Sequence, residues 1–306
     1  MTGERLQNIL VPLDGSELAE QAVSVGASIA RRSGGMLRLV SVEEPLPALV
    51  LASESPEVAR EVEIEAEGKL TEYLESMAQA VQHVQAGTVE TALLQGPVAG
   101  ALSEYAGSHA IDLVVMTTRG RGGISRWLTG SVADQVLRRT TVPVLLLHPR
   151  ELPQPTQFRR ILVALDGEVE EEVLNPALAL GSLNPAARYT LTRVVEPAIP
   201  ILTPLALYPG RPGRHYTQRL VDQARIYLAG VCRRLSAKGI EATHKVLVGR
   251  GIAEQVLELA GALGADCIAV GTRGARGAER VIVGSVADKI IRGAEVPVLI
   301  GPVRRV

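Results

Sequence analysis

The chain has 306 residues, with 32 Lys or Arg and 33 Asp or Glu, so its formal net charge is −1. This balance gives no support for a general nucleic-acid binder, which usually carries a basic surface. Apolar residues make up 46% of the chain, yet no apolar run reaches the roughly 18 residues that a membrane span needs. We therefore expect neither a nucleic acid nor a membrane as partner.

Two further features favour a cytoplasmic protein. The N-terminal residues 1–5 have no apolar signal core. Cys232 and Cys267 form no C-x-x-C motif and no disulfide framework, which suits a reducing compartment.

Short apolar runs alternate with longer amphipathic segments, and this order predicts parallel strands connected by helices. In the first half we predict strands over residues 9–13, 37–42, 89–94, 113–116 and 144–147. The helices between them are predicted over residues 17–32, 57–82, 98–108 and 131–139. Ser16 is the expected N-cap of the first helix, and Gly34 its expected end.

Proline-rich segments divide and interrupt the pattern. Pro149, Pro153 and Pro155 indicate a short linker, which gives domains over residues 1–149 and 158–306 with a linker over 150–157. The second half repeats the element order of the first, except for residues 197–213. Five prolines there argue against regular structure, and a lid, a partner surface and a plain loop are alternative interpretations.

The two halves are copies of one unit. The stretch from Val115 to Gly120 precedes Gly130-Ser131-Val132, just as the stretch from Val270 to Gly274 precedes Gly284-Ser285-Val286. The offset between Asp112 and Asp266 equals the offset between Gly130 and Gly284. A tandem duplication therefore sets the domain count.

Each copy contains a glycine–arginine loop between the fourth strand and a helix. Gly271 and Gly274 remove side chains where the backbone turns or a ligand approaches, and Ser285-Val286-Ala287-Asp288 has the form of a capping box. Glycines, arginines and a helix N-terminus together suit phosphate, although a turn with a helix cap and no ligand is the alternative. The spacing matches neither a Walker P-loop nor the dinucleotide fingerprint. The arginines of the two loops have two alternative interpretations, neutralisation of phosphate or a solvated surface. They are Arg119, Arg121, Arg126, Arg273, Arg276 and Arg280.

The motif G-x-x-G, nine residues, G-[ST] resembles the ATP-binding pattern of the universal stress protein family. The second half carries the motif in full, whereas Thr117 replaces its first glycine in the first half. The resemblance implies an α/β fold of two tandem Rossmann-like domains, each a five-stranded parallel sheet with helices on both faces. It also implies that the apolar fifth strands pair within the chain as a pseudo-dimer, and it leaves a homodimer open.

The resemblance further implies which residues contact the nucleotide. The aspartate after strand one lies near the adenosine or a Mg ion, and the valine ending strand two contacts adenine through its backbone. Asp14 and Asp166 match the aspartate, although both also suit a turn before glycine. The implied set in the first domain is Pro12, Asp14, Val42, Met116, Thr117, Gly120, Arg121, Gly130, Ser131 and Val132. The implied set in the second is Ala164, Asp166, Val194, Val270, Gly271, Gly274, Gly284, Ser285 and Val286.

We accordingly expect a cytoplasmic stress-response protein that binds ATP, with or without Mg, as a nucleotide-responsive regulator or protective factor. No nucleophile or general base stands out, so at most slow hydrolysis is expected and no catalytic residue is assigned. Thr117 and the acidic residues after Asp166 motivate a nucleotide-free interaction module as the first alternative. An ATP-using enzyme of a related α/β group is the second.

Overall fold

The chain divides into two compact units, the second of which begins at Gln157. A computed structural model describes residues 5–45, 56–84, 88–118, 131–148, 157–167, 170–197, 212–272 and 284–301. Gly120, Arg121, Gly130 and Gly274 lie outside these residues, as do most of the linker and most of residues 197–213.

The first unit is a parallel sheet whose strands are connected by helices. Its strands are β1 (Asn8–Pro12), β2 (Met36–Glu43), β3 (Thr88–Gln95), β4 (Leu113–Thr117) and β5 (Val144–Leu147). Its helices are α1 (Glu17–Ser33), α2 (Pro56–Val84), α3 (Val98–Ser108) and α4 (Ser131–Arg139). Within this unit the strand order is β3-β2-β1-β4-β5, and each pair is parallel.

The second unit has the same topology. Its strands are β6 (Arg160–Ala164), β7 (Arg188–Val195), β8 (Ala242–Val248), β9 (Cys267–Gly271) and β10 (Val298–Gly301). Its helices are α5 (Glu170–Gly181), α6 (Pro212–Ser236), α7 (Ile252–Leu263) and α8 (Ser285–Gly293). The strand order is β10-β9-β6-β7-β8, again all parallel. The predicted tandem α/β organisation is confirmed.

The two ends of α1 show how local sequence sets an element's limits. Ser16 is the N-cap, and its Oγ accepts a hydrogen bond from the backbone N–H of Ala19 at 3.2 Å. Gly34 ends the helix with φ +67°, a left-handed conformation that glycine adopts without penalty. Both predicted caps are confirmed. By contrast, the expectation that Gly213 is irregular was wrong, because α6 begins at Pro212, a position where a helix tolerates proline.

The central strands form the core of each unit. All five residues of β4 are buried, and so are four of the five residues of β9. Such strands, apolar on both faces, are typical of a parallel sheet that helices cover on both sides. None of the helices within the described ranges combines the length and apolarity that crossing a membrane requires.

An aspartate in each unit ties the start of the fourth strand to the start of the first. The backbone amides of Gln7 and Asn8 donate to Asp112 Oδ2 at 2.7 and 2.8 Å. In the second unit the amides of Arg159 and Arg160 donate to the Asp266 carboxylate at 2.8 and 3.0 Å. A carboxylate that accepts two amide hydrogen bonds holds these two strands side by side.

Candidate functional site

The candidate site of each unit lies where the strand order changes direction. β1 is paired with β4, with Ile9 opposite Leu113 and Leu10 opposite Val114. β6 is paired with β9 in the same way, with Ile161 opposite Cys267. The chain winds outward from β1 through β2 to β3, then returns to β4 and continues to β5. Ligands of doubly wound sheets bind at such a switch point, beyond the carboxyl ends of the strands.

Strand adjacency brings most of the predicted residues to one edge of each sheet. Pro12 and Ala164 end the first strand of their units, and Thr117 and Gly271 end the fourth. Val42 and Val194 lie next to the last residue of the second strand. The helices α4 and α8 begin at this edge too, because each connects two parallel strands and must run back antiparallel to them.

The N-terminus of α8 lies at this edge. Its N-cap is Gly284, with φ −61° and ψ 151°, and no side chain in the described part of the chain caps it. The predicted capping box was therefore wrong, since Ser285 is the first helical residue and its exposed side chain does not cap α8. The first amides of a helix have no partner inside the helix, and they suit a bound anion.

Gly271 is the most informative residue of the second site. It is the last residue of β9, and its φ does not lie in the positive region that favours glycine. A Cβ placed on it would meet Val173 Cβ at 3.9 Å, an ordinary van der Waals distance, as its nearest neighbour. The expectation that Gly271 serves a turn was wrong. Neither the backbone nor packing against the described residues requires glycine here.

The first unit presents the same edge. Met116 and Thr117 end β4 with buried side chains, in the positions of Val270 and Gly271. Thr117 therefore turns its side chain into the protein interior to a large extent. Ser131 and Val132 begin α4 as predicted.

Asp14 takes part in the turn that begins α1. Its Oδ1 accepts hydrogen bonds from the Ser16 amide at 3.0 Å and from Ser16 Oγ at 2.6 Å. Ser16 Oγ in turn accepts from Ala19, so the carboxylate orients the helix cap. Asp14 is exposed, and its Oδ2 accepts no hydrogen bond from any residue in the described ranges. The turn interpretation of Asp14 is thus supported, with one oxygen still facing outward.

Arg193 is a residue of the second site that the sequence patterns did not indicate. Its guanidinium lies over the turn after β6, because a Cβ added to Gly167 would meet Arg193 Nη1 at 2.6 Å. Its Cζ lies 6.0 Å from the ring centroid of Tyr227. In the first unit the matching residue is Ser41, whose Oγ donates to the Leu13 carbonyl at 2.9 Å. Aligning the two halves would have indicated Arg193, because it precedes Val194 where Ser41 precedes the matching Val42.

The thiols contribute no nucleophile near this edge. Cys267 is buried in β9, and burial together with nearby Asp266 raises its thiol pKa. Burial also raises the thiol pKa of Cys232 in α6. Both therefore stay protonated near neutral pH. Within the described ranges no three His, Cys, Asp or Glu side chains gather as metal ligands.

Two α/β units, each a doubly wound parallel sheet with a switch point between its first and fourth strands, define a tandem Rossmann-like protein. The family model described as the universal stress protein family matches residues 5–148 and again residues 157–302. The chain therefore belongs to the universal stress protein family, as a member with two tandem domains.

Relatives agree with this assignment. A universal stress protein of Methanocaldococcus jannaschii is 30% identical over 147 residues, which are 47% of this chain and 84% of the relative. A universal stress protein of Mycobacterium bovis is 26% identical over 315 residues, with 95% of this chain and 94% of the relative covered. A solved universal stress protein of Archaeoglobus fulgidus has the same fold, with a TM-score of 0.68, 19% identity, and coverage of 98% of this chain and 99% of the other.

Proposed function

We propose that this protein binds an adenine nucleotide, ATP, at the carboxyl edge of its parallel strands, and that the second unit is the stronger site. The observation that carries the proposal is Gly271, a strand glycine that neither its backbone angle nor its described neighbours require. A nucleotide phosphate that approaches the backbone at the end of β9 accounts for the missing side chain.

The helix that follows supports the same ligand. None of the described side chains caps α8, so its first amides can donate to a phosphate oxygen, and the helix dipole favours the negative charge. The Ser285 hydroxyl is exposed and can donate to a second phosphate oxygen. In this arrangement the adenine lies beyond β7, where the Val194 backbone can recognise it, and Asp166 lies near the ribose or a Mg ion.

The two units differ at one position in a way that favours occupation of the second. In the first unit Thr117 stands at the position of Gly271. We infer that the nucleotide state of the second unit regulates the protein, while the first unit binds nucleotide weakly. Thr117 and the acidic residues after Asp166 keep the nucleotide-free interaction module as the alternative.

Release of bound nucleotide tests the proposal. Purified protein is denatured, and the released nucleotide is identified by chromatography and mass spectrometry. Isothermal titration calorimetry with Mg-ATP and Mg-GTP then measures affinity for the parent chain and for Gly130→Phe and Gly284→Phe. We expect adenine nucleotide, a preference for ATP, and a larger loss of affinity in Gly284→Phe.

The contrary results are equally clear. Absence of both bound nucleotide and calorimetric heat at millimolar ATP would refute the proposal and support the interaction module. Equal losses in the two variants would refute the asymmetry. Fast phosphate release during the titration would instead support the ATP-using enzyme.

A further inference from the structure

The second unit contains a cavity of about 150 Å³ at the amino-terminal end of its strands, opposite the nucleotide edge. Leu162, Thr190 and Thr243 line it from three neighbouring strands, and Leu263 and Ala265 line it from the end of α7 and the residues that follow. The three strand residues pair laterally, Leu162 with Thr190 and Thr190 with Thr243. Paired residues of parallel strands share one face of the sheet, so they form the floor of the cavity.

A comparison of the two units explains why the cavity exists. In the first unit the matching lateral row is Leu10, Arg38 and Glu90. Arg38 Nη2 lies 3.4 Å from Glu90 Oε2, and the Arg38 side chain is only 14% exposed, so a long side chain occupies this place. The second unit has two threonines instead, with Oγ1 atoms 3.4 Å apart. Two short hydroxyl side chains leave open the volume that an arginine and a glutamate fill in the sister unit.

The mouth of the cavity has an excess of positive charge. Arg188 Nε lies 3.2 Å from Glu241 Oε1, so these two lining charges balance one another. Arg160 is the third charged residue of the lining, and it forms no ion pair with any residue that the structure describes. Its guanidinium lies against Gly264, since a Cβ added there would meet Arg160 Nη2 at 3.2 Å. The C-terminal end of α7 favours a cation at this place, and Leu263 lines the same cavity.

Size and chemistry together define the ligand class. The volume corresponds to roughly five water molecules at about 30 Å³ each, and it is well below the ~300 Å³ at which drug-sized ligand sites begin. Apolar walls, two hydroxyls and one guanidinium that has no ion pair with the described residues match a carboxylate on a short apolar body. We infer that this cavity binds a small organic monocarboxylate, with its carboxylate on Arg160 and its hydrocarbon part against Leu162 and Leu263.

The inference is independent of the proposed function. The cavity lies at the beginnings of β6, β7 and β8, whereas the nucleotide edge lies at the strand ends. The inference about the cavity therefore holds even if the protein binds no nucleotide.

Butanoate is a suitable probe, and butan-1-ol is its neutral counterpart. Backbone amide NMR spectra of the full chain are recorded during titration with sodium butanoate at constant ionic strength. We expect saturable shifts at Thr190, Thr243 and Leu263 with a millimolar dissociation constant, and shifts at least about tenfold weaker with butan-1-ol. Arg160→Gln should weaken butanoate binding about tenfold or more.

Two further variants complete the test. Arg159→Gln is the matched control, because Arg159 directly precedes β6, carries the same charge and is not part of the lining, so this variant should keep the parent affinity. Thr190→Arg with Thr243→Glu recreates the pair of the first unit and should abolish the shifts. Circular dichroism and the thermal unfolding transition check that this double variant is folded.

The inference is overturned by any of three results. These are absence of saturable shifts with butanoate, equal affinity for butan-1-ol, and equal weakening by the Arg159 and Arg160 variants. A folded double variant that binds butanoate like the parent chain would also refute it.

Discussion

Replacement of Gly271 by alanine distinguishes a role of this glycine in ligand binding from a role in the fold. The change adds one methyl group at the end of β9, next to Val173 Cβ at 3.9 Å. Because no overlap arises and φ lies outside the positive region, the native state should accept alanine without strain. Alanine also reduces the conformational freedom of the unfolded chain. We therefore expect the free energy of unfolding to rise by about 0.5–1 kcal/mol.

Affinity for ATP should change in the opposite direction. If a phosphate lies against the backbone of Gly271, the added methyl group displaces it by more than the tolerance of a hydrogen bond. Loss of one charge-assisted amide–phosphate hydrogen bond costs about 1.5–3 kcal/mol. This corresponds to a roughly 10- to 100-fold increase in the dissociation constant.

Two measurements on each variant decide the question. Urea denaturation gives the free energy of unfolding, and calorimetric titration with Mg-ATP gives the affinity. Gly230→Ala is the matched control, because Gly230 lies in α6 and, apart from the backbone of that helix, no atom of the described residues lies within 4 Å of the added Cβ. It should gain stability with unchanged affinity. If Gly271→Ala keeps the parent affinity, or if it loses stability and affinity together, the glycine is structural and the reasoning is refuted.

Three further predictions concern the frame that supports the site. Ser16→Ala removes the cap of α1 and should lower the free energy of unfolding by about 1 kcal/mol in urea denaturation, and an unchanged value would contradict the capping role. Asp266→Ala leaves two backbone amides without their acceptor and should cost about 2 kcal/mol or more, whereas Asp266→Asn keeps an acceptor oxygen and should cost less. Burial raises the pKa of Tyr189 to about 12, above its value of about 10 in an unfolded chain, so the unfolded state loses its proton first. Between about pH 10 and pH 12 the parent chain should therefore lose about 2–3 kcal/mol more stability than Tyr189→Phe, and parallel losses in denaturation series would refute the assignment.

Local sequence was sufficient where the controlling forces are local. The cap of α1 by Ser16, its end at Gly34 and the limits of β5 agree with the predictions, because each depends on neighbours within one or two turns. The tandem organisation could be predicted in the same way, because each copy of the unit repeats these local signals.

Local sequence was misleading where a side chain had two uses. Ser285 has the spacing of a capping box, yet Gly284 is the N-cap and Ser285 lies inside α8. Asp14 suits both a ligand contact and a turn, and only the hydrogen bonds to Ser16 show that the turn uses one of its oxygens. Local spacing cannot decide these cases because cap positions one residue apart satisfy similar patterns.

The amino-acid sequence alone determined the α/β class, the duplication and the residues that follow each strand, because hydrophobic period and glycine spacing are properties of the linear chain. Tertiary structure decided that β1 lies beside β4, that Gly271 has room for a side chain it lacks, and that Thr190 and Thr243 stand over a cavity. These facts depend on pairings between segments far apart in the chain, and strand order is set by the packing of whole elements, which no local pattern encodes.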